Sequence, residues 1–342
     1  MAAIEIREAD PTASPPAWLD TGDAVEGRIG LVRTSRSFAQ FAAALSQSVF
    51  LAHICPADIT LSVASDAADI PLLASAALTL AKEIDPKRTF SVQTRVVGTG
   101  RLPYRKVEVN EAVSNAVAAA TGAVLDAKQP HQVISVLCTE GEALIGLSDT
   151  ALNRSAWPGG KHRFAREEGQ VSRAEFKLLE AVSVFALPLN APGAAVDMGA
   201  APGGWTRVLR RHGWKVDAVD PADLDRSLLR DTFVRHIRKR VQDYLPTAPV
   251  YDAIVNDLRM DARLSVDIMR DAAAHLTSSG WALMTVKLPR PVIRVSDARK
   301  MLSLMHRDFA RLSERYKITG ARQLYHNRSE ITIALKNRND SG

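Results

Sequence analysis

From about residue 49 the chain falls into short alternating and apolar runs. Residues 58–64 alternate as a strand does, and residues 71–83 read as an alanine-rich helix. Residues 89–97 alternate again, with Phe90, Val92 and Thr94 set against Ser91, Gln93 and Arg95. A second alanine-rich helix is predicted over 108–121, then two closing strands, 133–137 and 142–147, around Glu140-Gly141. Strand, helix, strand, helix, strand, strand makes an α+β module. Residues 1–48 form a mixed extension ahead of it. There, Pro11, Pro15 and Pro16 lie in a small-residue stretch that reads as loop, and 27–33 reads as a short strand.

The second half alternates strand and helix. Residues 172–184 predict a helix with Ser172 as N-cap. Residues 194–198 are an apolar strand, and 204–211 a helix closed by Gly213. Strands follow at 215–219, ending at Asp220, and at 251–255, ending at Asn256-Asp257. A helix at 268–276 precedes a strand at 281–286 that ends at Lys287; a long amphipathic helix at 296–315 and an alternating strand at 331–335 complete the series. This pattern predicts an α/β fold with a doubly wound, mostly parallel sheet, whose ligands bind outside the carboxyl ends of the strands. Between the halves, 151–171 reads as a linker centred on Trp157-Pro158-Gly159-Gly160. The expected organisation is therefore extension 1–48, α+β domain 49–150, linker 151–171 and α/β domain 172–342.

Composition narrows the class. A chain of 342 residues suits about two domains. Two cysteines, Cys55 and Cys138, exclude a disulfide framework and a four-cysteine zinc site. The eight histidines are scattered without ligand spacing, so no metal site is expected. No apolar run reaches the ~18 residues of a membrane helix, so no membrane partner is expected. Residues 1–10, with Glu5 and no basic start, do not resemble a secretory signal; the expected compartment is the cytoplasm. Charge is divided unevenly. Residues 1–160 carry 13 Lys and Arg against 17 Asp and Glu, whereas 161–342 carry 31 against 21. An arginine-rich half points to a polyanion, nucleic acid foremost, the alternative being a solvated basic surface.

The strongest local motif is Asp197-Met198-Gly199-Ala200-Ala201-Pro202-Gly203-Gly204-Trp205, an apolar strand running into a small-residue turn and a helix. Small residues let a ligand approach the backbone, and the helix start supplies unpaired N–H groups. Gly199, Ala201 and Gly204 stand where a dinucleotide fingerprint has glycines, so its strict form fails in the middle. Asp220, at the end of the next strand, is placed to accept hydrogen bonds from ribose hydroxyls. The spacing indicates a nucleoside and leaves NAD and S-adenosylmethionine both open.

The same segment resembles the S-adenosylmethionine loop of the FtsJ-like (RrmJ-type) RNA ribose 2′-O-methyltransferases. That family carries a Lys-Asp-Lys-Glu tetrad, and each member has a matching position here. Ser172-Arg173-Ala174-Glu175-Phe176-Lys177-Leu178 gives Lys177, Val255-Asn256-Asp257-Leu258 gives Asp257, Thr285-Val286-Lys287-Leu288-Pro289 gives Lys287, and Ser329-Glu330-Ile331-Thr332 gives Glu330. Lys287-Leu288-Pro289 and the run from Ala321 to Glu330, Ala-Arg-Gln-Leu-Tyr-His-Asn-Arg-Ser-Glu, are similar to the RlmM branch of the family. The resemblance implies a Rossmann-like methyltransferase fold with an antiparallel last strand, preceded by a THUMP-like α+β domain. It also implies S-adenosyl-L-methionine as cofactor and RNA as partner, with methyl transfer to a cytidine ribose of large-subunit (23S) ribosomal RNA. Ser172, Gly199, Ala201, Pro202, Gly203, Gly204, Trp205, Asp220, Asp243 and Asp257 are the implied cofactor contacts. Ala201 departs from the branch, where a cysteine is common.

Ribose 2′-O-methylation needs a base beside a weakly acidic hydroxyl. A lysine serves only in its neutral form, which burial or a neighbouring cation favours. The expectation is Lys287 as base, oriented by Glu330, with Lys177 and Asp257 placing ribose and cofactor. Arg101, Arg105 and Lys106, then Arg207, Arg210, Arg211, Arg290 and Arg294, are candidate backbone-phosphate contacts. Tyr325 and His326 are candidates for stacking on a base. Both cysteines precede Gly160, which speaks against a cysteine-dependent 5-methylcytosine enzyme. Asn256-Asp257-Leu258-Arg259 lacks the Pro-Pro-aromatic ending of amine methyltransferases. A non-catalytic RNA-binding protein that kept the fold, or a 2′-O-methyltransferase of another RNA, are the alternatives.

Overall fold

The computed structural model describes residues 1–19, 28–98, 102–165, 168–288, 295–327 and 329–338. Arg101, Pro289, Arg290, Arg294 and Arg328 lie outside the described residues. The chain divides into two compact units, one formed by 2–46 and 51–161, the other chiefly by 47–50 and 162–342.

The first unit opens with α1 (Ala2–Ala9), the short antiparallel pair β1 (Ala17–Leu19) and β2 (Ile29–Leu31), and α2 (Phe38–Ala44). α2 starts where Ser37 accepts from the Gln40 N–H while the Gln40 side chain accepts from the Ser37 N–H, a reciprocal cap. Ile6, Phe41 and Leu45 form its small core. β3 (Ile59–Ser62), α3 (Asp69–Leu78), β4 (Phe90–Val96), α4 (Lys106–Thr121), β5 (Gln132–Cys138) and β6 (Glu142–Asp149) follow. They build a four-stranded sheet in the order β3-β6-β5-β4, parallel only between β4 and β5. Leu73, Ala77, Val109, Val113 and Val117 on the helices bury against Phe90, Val92, Ile134, Val136 and Ile145, which is the expected α+β module.

The second unit runs α5 (Ala174–Phe185), β7 (Ala194–Met198), α6 (Gly204–Arg211), β8 (Lys215–Val219), α7 (Arg226–Leu229), β9 (Val234–Ile237), α8 (Val241–Tyr244), β10 (Tyr251–Asn256), α9 (Ala262–Ala272), β11 (Leu276–Lys287), α10 (Val295–Ser313), β12 (Tyr316–Arg322) and β13 (Glu330–Asn337). Its seven strands lie in the order β12-β13-β11-β10-β7-β8-β9. β9, β8, β7, β10 and β11 are parallel, and β13 is antiparallel to both neighbours. This is the Rossmann-like sheet with the expected antiparallel last strand. β7 and β10 read as nearly continuous apolar runs because helices cover both faces of a parallel sheet.

Three differences have local causes. Ser172 does not cap α5. The helix begins at Ala174, and the Ser172 hydroxyl accepts from the Ala174 N–H just outside it. α9 starts at Ala262 rather than 268, because Asp261 accepts from the Arg263 N–H and caps it there. β9 and β12, absent from the pattern reading, are the two edge strands; each is half exposed and lacks an apolar run.

Candidate active site

The site lies where β7, β8, β10 and β11 end. The β11–β13 register sets Lys287 directly opposite Glu330, so the antiparallel last strand by itself makes their pairing. The Lys287 ammonium donates to Glu330 Oε1. On α5, Lys177 Nζ reaches Glu330 Oε2 at 2.7 Å and both Asp257 oxygens at 3.2 Å. All four expected residues therefore meet, with Glu330 bridging the two lysines and Lys177 bridging the two carboxylates. The exposed fractions of the Lys177, Asp257 and Glu330 side chains are 17%, 16% and 11%, against 30% for Lys287, so the last faces solvent most. Burial pushes the Glu330 carboxyl up, but hydrogen bonds from Lys177 and Lys287 outweigh it and hold it below its ordinary value.

Residues that the sequence reading missed hold this group. Thr285, two positions before Lys287 on the same face of β11, is buried and donates to Asp257 Oδ1 at 2.6 Å. Asn256, fully buried, accepts from the Leu258 N–H at 2.9 Å and donates to Ser265 Oγ at 3.2 Å. Its side chain thus turns the end of β10 so that Asp257 leaves the sheet. A polar side chain read at the end of an apolar strand was the available signal.

The turn after β7 is shaped for close approach. Gly199 (φ 83°) and Gly203 (φ 115°) occupy the left-handed region, and a Cβ on Gly203 would lie 2.1 Å from Leu228 Cδ1. Gly204 is required for packing, since its Cβ would lie 2.2 Å from Ser172 Oγ. Ala201 donates its N–H to Asp220 Oδ2 at 3.1 Å, and Ala222 donates to Oδ1 at 2.8 Å, which fixes the carboxylate at the end of β8. Pro202 O accepts from the Asp225 N–H. The Trp205 indole is buried and donates to Ala174 O at 2.8 Å, so the ring ties α6 to α5 and leaves only the backbone of Trp205 to the loop. Asp243 sits exposed on α8 beyond β9. Asp197 ends inside the sheet, hydrogen-bonded by Thr206 at 2.7 Å, and burial pushes its carboxyl up to about 7.

Two arginines expected to contact RNA are engaged within the protein. Arg207 Nη1 lies 2.5 Å from the buried Glu175 carboxylate, and Nη2 donates to Glu168 O at 2.9 Å. Arg210 pairs with Asp231 at 2.8 Å, donates to Trp214 O and lies over the Phe233 ring. The basic helix therefore reads as internal wiring, with Arg211 exposed at its end. Among the described residues, no group of three or more His, Cys, Asp or Glu is arranged to hold a metal, and no helix is long and apolar enough to cross a membrane.

Residues 170–310 match the FtsJ-like methyltransferase family. A protein named ribosomal RNA large subunit methyltransferase M from Xanthomonas oryzae pv. oryzae (strain PXO99A) is 34% identical over 223 residues, 62% of this chain and 61% of that protein. Its namesake from Alkalilimnicola ehrlichii is 35% identical over 210 residues, 56% of this chain and 52% of that protein. The chain thus spans about three fifths or less of the length of these relatives. Among solved structures, TrmN from Thermus thermophilus is similar at TM-score 0.36 and 17% identity, over 91% of this chain and 89% of that one.

Proposed function

With an FtsJ-like methyltransferase domain over residues 170–310 as premise, we propose that this chain transfers a methyl group from S-adenosyl-L-methionine to a ribose 2′-hydroxyl of RNA. The names of its relatives favour large-subunit ribosomal RNA as the substrate, and the resemblance carried by Lys287-Leu288-Pro289 and residues 321–330 implies a cytidine within it. The observation that carries the proposal is the convergence of Lys177, Asp257, Lys287 and Glu330 at the strand ends.

The residues present suit the cofactor by their chemistry. Gly199, Ala201, Pro202, Gly203, Gly204 and the backbone of Trp205 offer a small-residue turn and a helix start, with Ser172 alongside. Asp220 offers a fixed carboxylate to ribose hydroxyls, Asp243 an exposed one to the adenine amine, and Asp257 the polar edge toward the reacting end. When bound, the group supplies an electrophilic methyl on a sulfonium. Lys287, once its ammonium has released a proton and stands as the neutral amine, takes the 2′-hydroxyl proton and becomes the ammonium again. It is the lysine that, among the described residues, is held by one carboxylate rather than two, and the more exposed one. Glu330 orients Lys287, and Lys177 with Asp257 places the ribose oxygen, so positioning provides much of the rate. The N-terminal α+β unit serves as the THUMP-like part that helps hold RNA.

The test is transfer of labelled methyl to bulk RNA by the wild type and by Lys287→Ala, followed by digestion to nucleosides. A labelled 2′-O-methylcytidine that disappears in the variant is the expected result. Cofactor binding without transfer to any RNA would favour a binding protein that retained the fold, and a labelled base would overturn the ribose assignment.

A further inference from the structure

Besides Glu175, which Arg207 pairs, α5 carries a second buried carboxylate that the tetrad does not account for. Glu180 is one turn beyond Lys177 on α5, and its side chain is only 2% exposed. A carboxylate that deep is tolerated only where donors satisfy it. Three donors that hold it come from one short turn. Tyr325 N–H reaches Oε1 at 2.7 Å, while His326 N–H at 2.9 Å and His326 Nδ1 at 2.8 Å reach Oε2. The other end of the turn is fastened by Asn327, whose Nδ2 donates to Glu330 O at 3.3 Å and Thr332 Oγ1 at 2.8 Å. Around the His326 ring stand Phe176 at 5.3 Å and Phe164 at 5.6 Å. α5 therefore grips the segment leading into β13 twice, at Glu180 through the turn and at Lys177 through Glu330 itself.

We propose that Glu180 is a positioning residue: by holding residues 325–327 against α5, it sets where the Glu330 carboxylate meets Lys177 and Lys287. The inference rests on the methyltransferase reading above. Glu330 opens β13, so its place depends on both the strand register and the turn before it. Fastening that turn to the helix that carries Lys177 makes the lysine–carboxylate geometry a property of one rigid frame. Two of the three donors from this turn are backbone N–H groups, so the grip fixes the course of the chain more than the identity of its side chains. An amide in place of the carboxylate keeps the volume but presents one NH₂ to a backbone donor, which loosens the grip without leaving a cavity.

The experiment compares wild type, Glu180→Gln, His326→Ala and Lys287→Ala in methyl transfer from labelled cofactor to RNA. kcat and the RNA KM are separated, and melting and cofactor binding are measured on the same preparations. The expected Glu180→Gln enzyme melts near the wild type and binds cofactor as well, yet loses about ten- to a hundredfold in kcat at unchanged RNA KM. His326→Ala, which removes one donor of three, loses about three- to tenfold in the same parameter, and carries the test should the buried Gln prevent folding. A folded Glu180→Gln enzyme with wild-type kcat, or a loss confined to KM, overturns the proposal. If the wild type itself methylates no RNA, the underlying reading fails first and visibly, because Lys287→Ala then has no activity to lose.

Discussion

The same sheet carries two carboxylates that each gather several donors. Glu330, at a strand end, takes hydrogen bonds from two lysines. Asp217, in the middle of β8, takes them from Arg235, Tyr244 at 2.8 Å and Tyr251 at 2.5 Å, and the two phenols lie 2.5 Å apart. Burial raises the Asp217 carboxyl, but the bonds from Arg235, Tyr251 and Tyr244 outweigh it and leave it below its usual value. The chemistry nevertheless differs. A guanidinium does not give up its proton, and burial together with Asp217 drives the Tyr251 phenol far above its ordinary range. The Asp217 group is thus a fixed brace with no proton to exchange near neutrality. The Glu330 group holds two lysines at the end of the sheet where ligands arrive, and the proposed reaction uses one of them, Lys287, as its base. A cluster of charges becomes a candidate site through the kind of donor and its place along the strand.

Four experiments bear on that contrast. The largest effect is expected from Lys287→Ala, which should lower methyl transfer by about 10²–10⁴-fold with little change in melting temperature, as loss of a general base does. Retained activity would put the Glu330 group in the same class as the Asp217 brace. Asp197 is a third case, a buried carboxyl with no cation beside it among the described residues. Its folded form keeps the proton to about pH 7, whereas the unfolded chain releases it near 3.8. Between those values the folded state binds more protons, so this residue makes stability fall as pH rises from about 4 to about 7 and adds no slope beyond. Asp197→Asn should remove that slope, and its stability relative to wild type should climb by on the order of a few kcal/mol across the window. Denaturation curves at pH 4.5, 6 and 8 (about one unit and more apart) check this, and a pH-independent difference would sink it.

Asp217→Asn should invert the Lys287 result, costing about 1–3 kcal/mol of stability by leaving phenol and guanidinium donors poorly matched while kcat stays close to wild type. Urea melts and initial rates on one preparation decide it. The smallest effect lies at the helix junction. Gly204→Ala should destabilise by crowding Ser172 Oγ, and adding Ser172→Ala should recover about 1 kcal/mol, measured as the coupling in a double-mutant cycle. Additive losses would mean that the hydroxyl is not what the new methyl meets.

Legibility followed burial. β7, α6 and β8 were read with the boundaries the structure has, because their apolar runs are flanked by Gly, Pro and charged residues. The edge strands β9 and β12 were not read, since a strand paired on one side can be half polar. α2 was missed although Ser37 and Gln40 have the spacing of a reciprocal cap. Within the site, the tetrad was legible from resemblance, but its supports were not. Glu175, Glu180 and Thr285 look like ordinary surface groups until their partners, Arg207, residues 325–326 and Asp257, arrive from distant segments. The same blindness made Arg207 and Arg210 look available to RNA when each is bound to an acidic side chain of its own unit.

The sequence by itself determined the order of the interior strands of the two main sheets, the small-residue turn after β7 and which side chains sit at strand ends, because hydrophobic period and turn chemistry are local. Only the tertiary structure decided that Glu330 stands between two lysines, that Asp257 takes Thr285 and Lys177, and that Glu180 holds the turn ahead of β13. Those facts depend on strand register and on which helix face meets which loop. They join residues up to 153 positions apart, and no local pattern carries such distances.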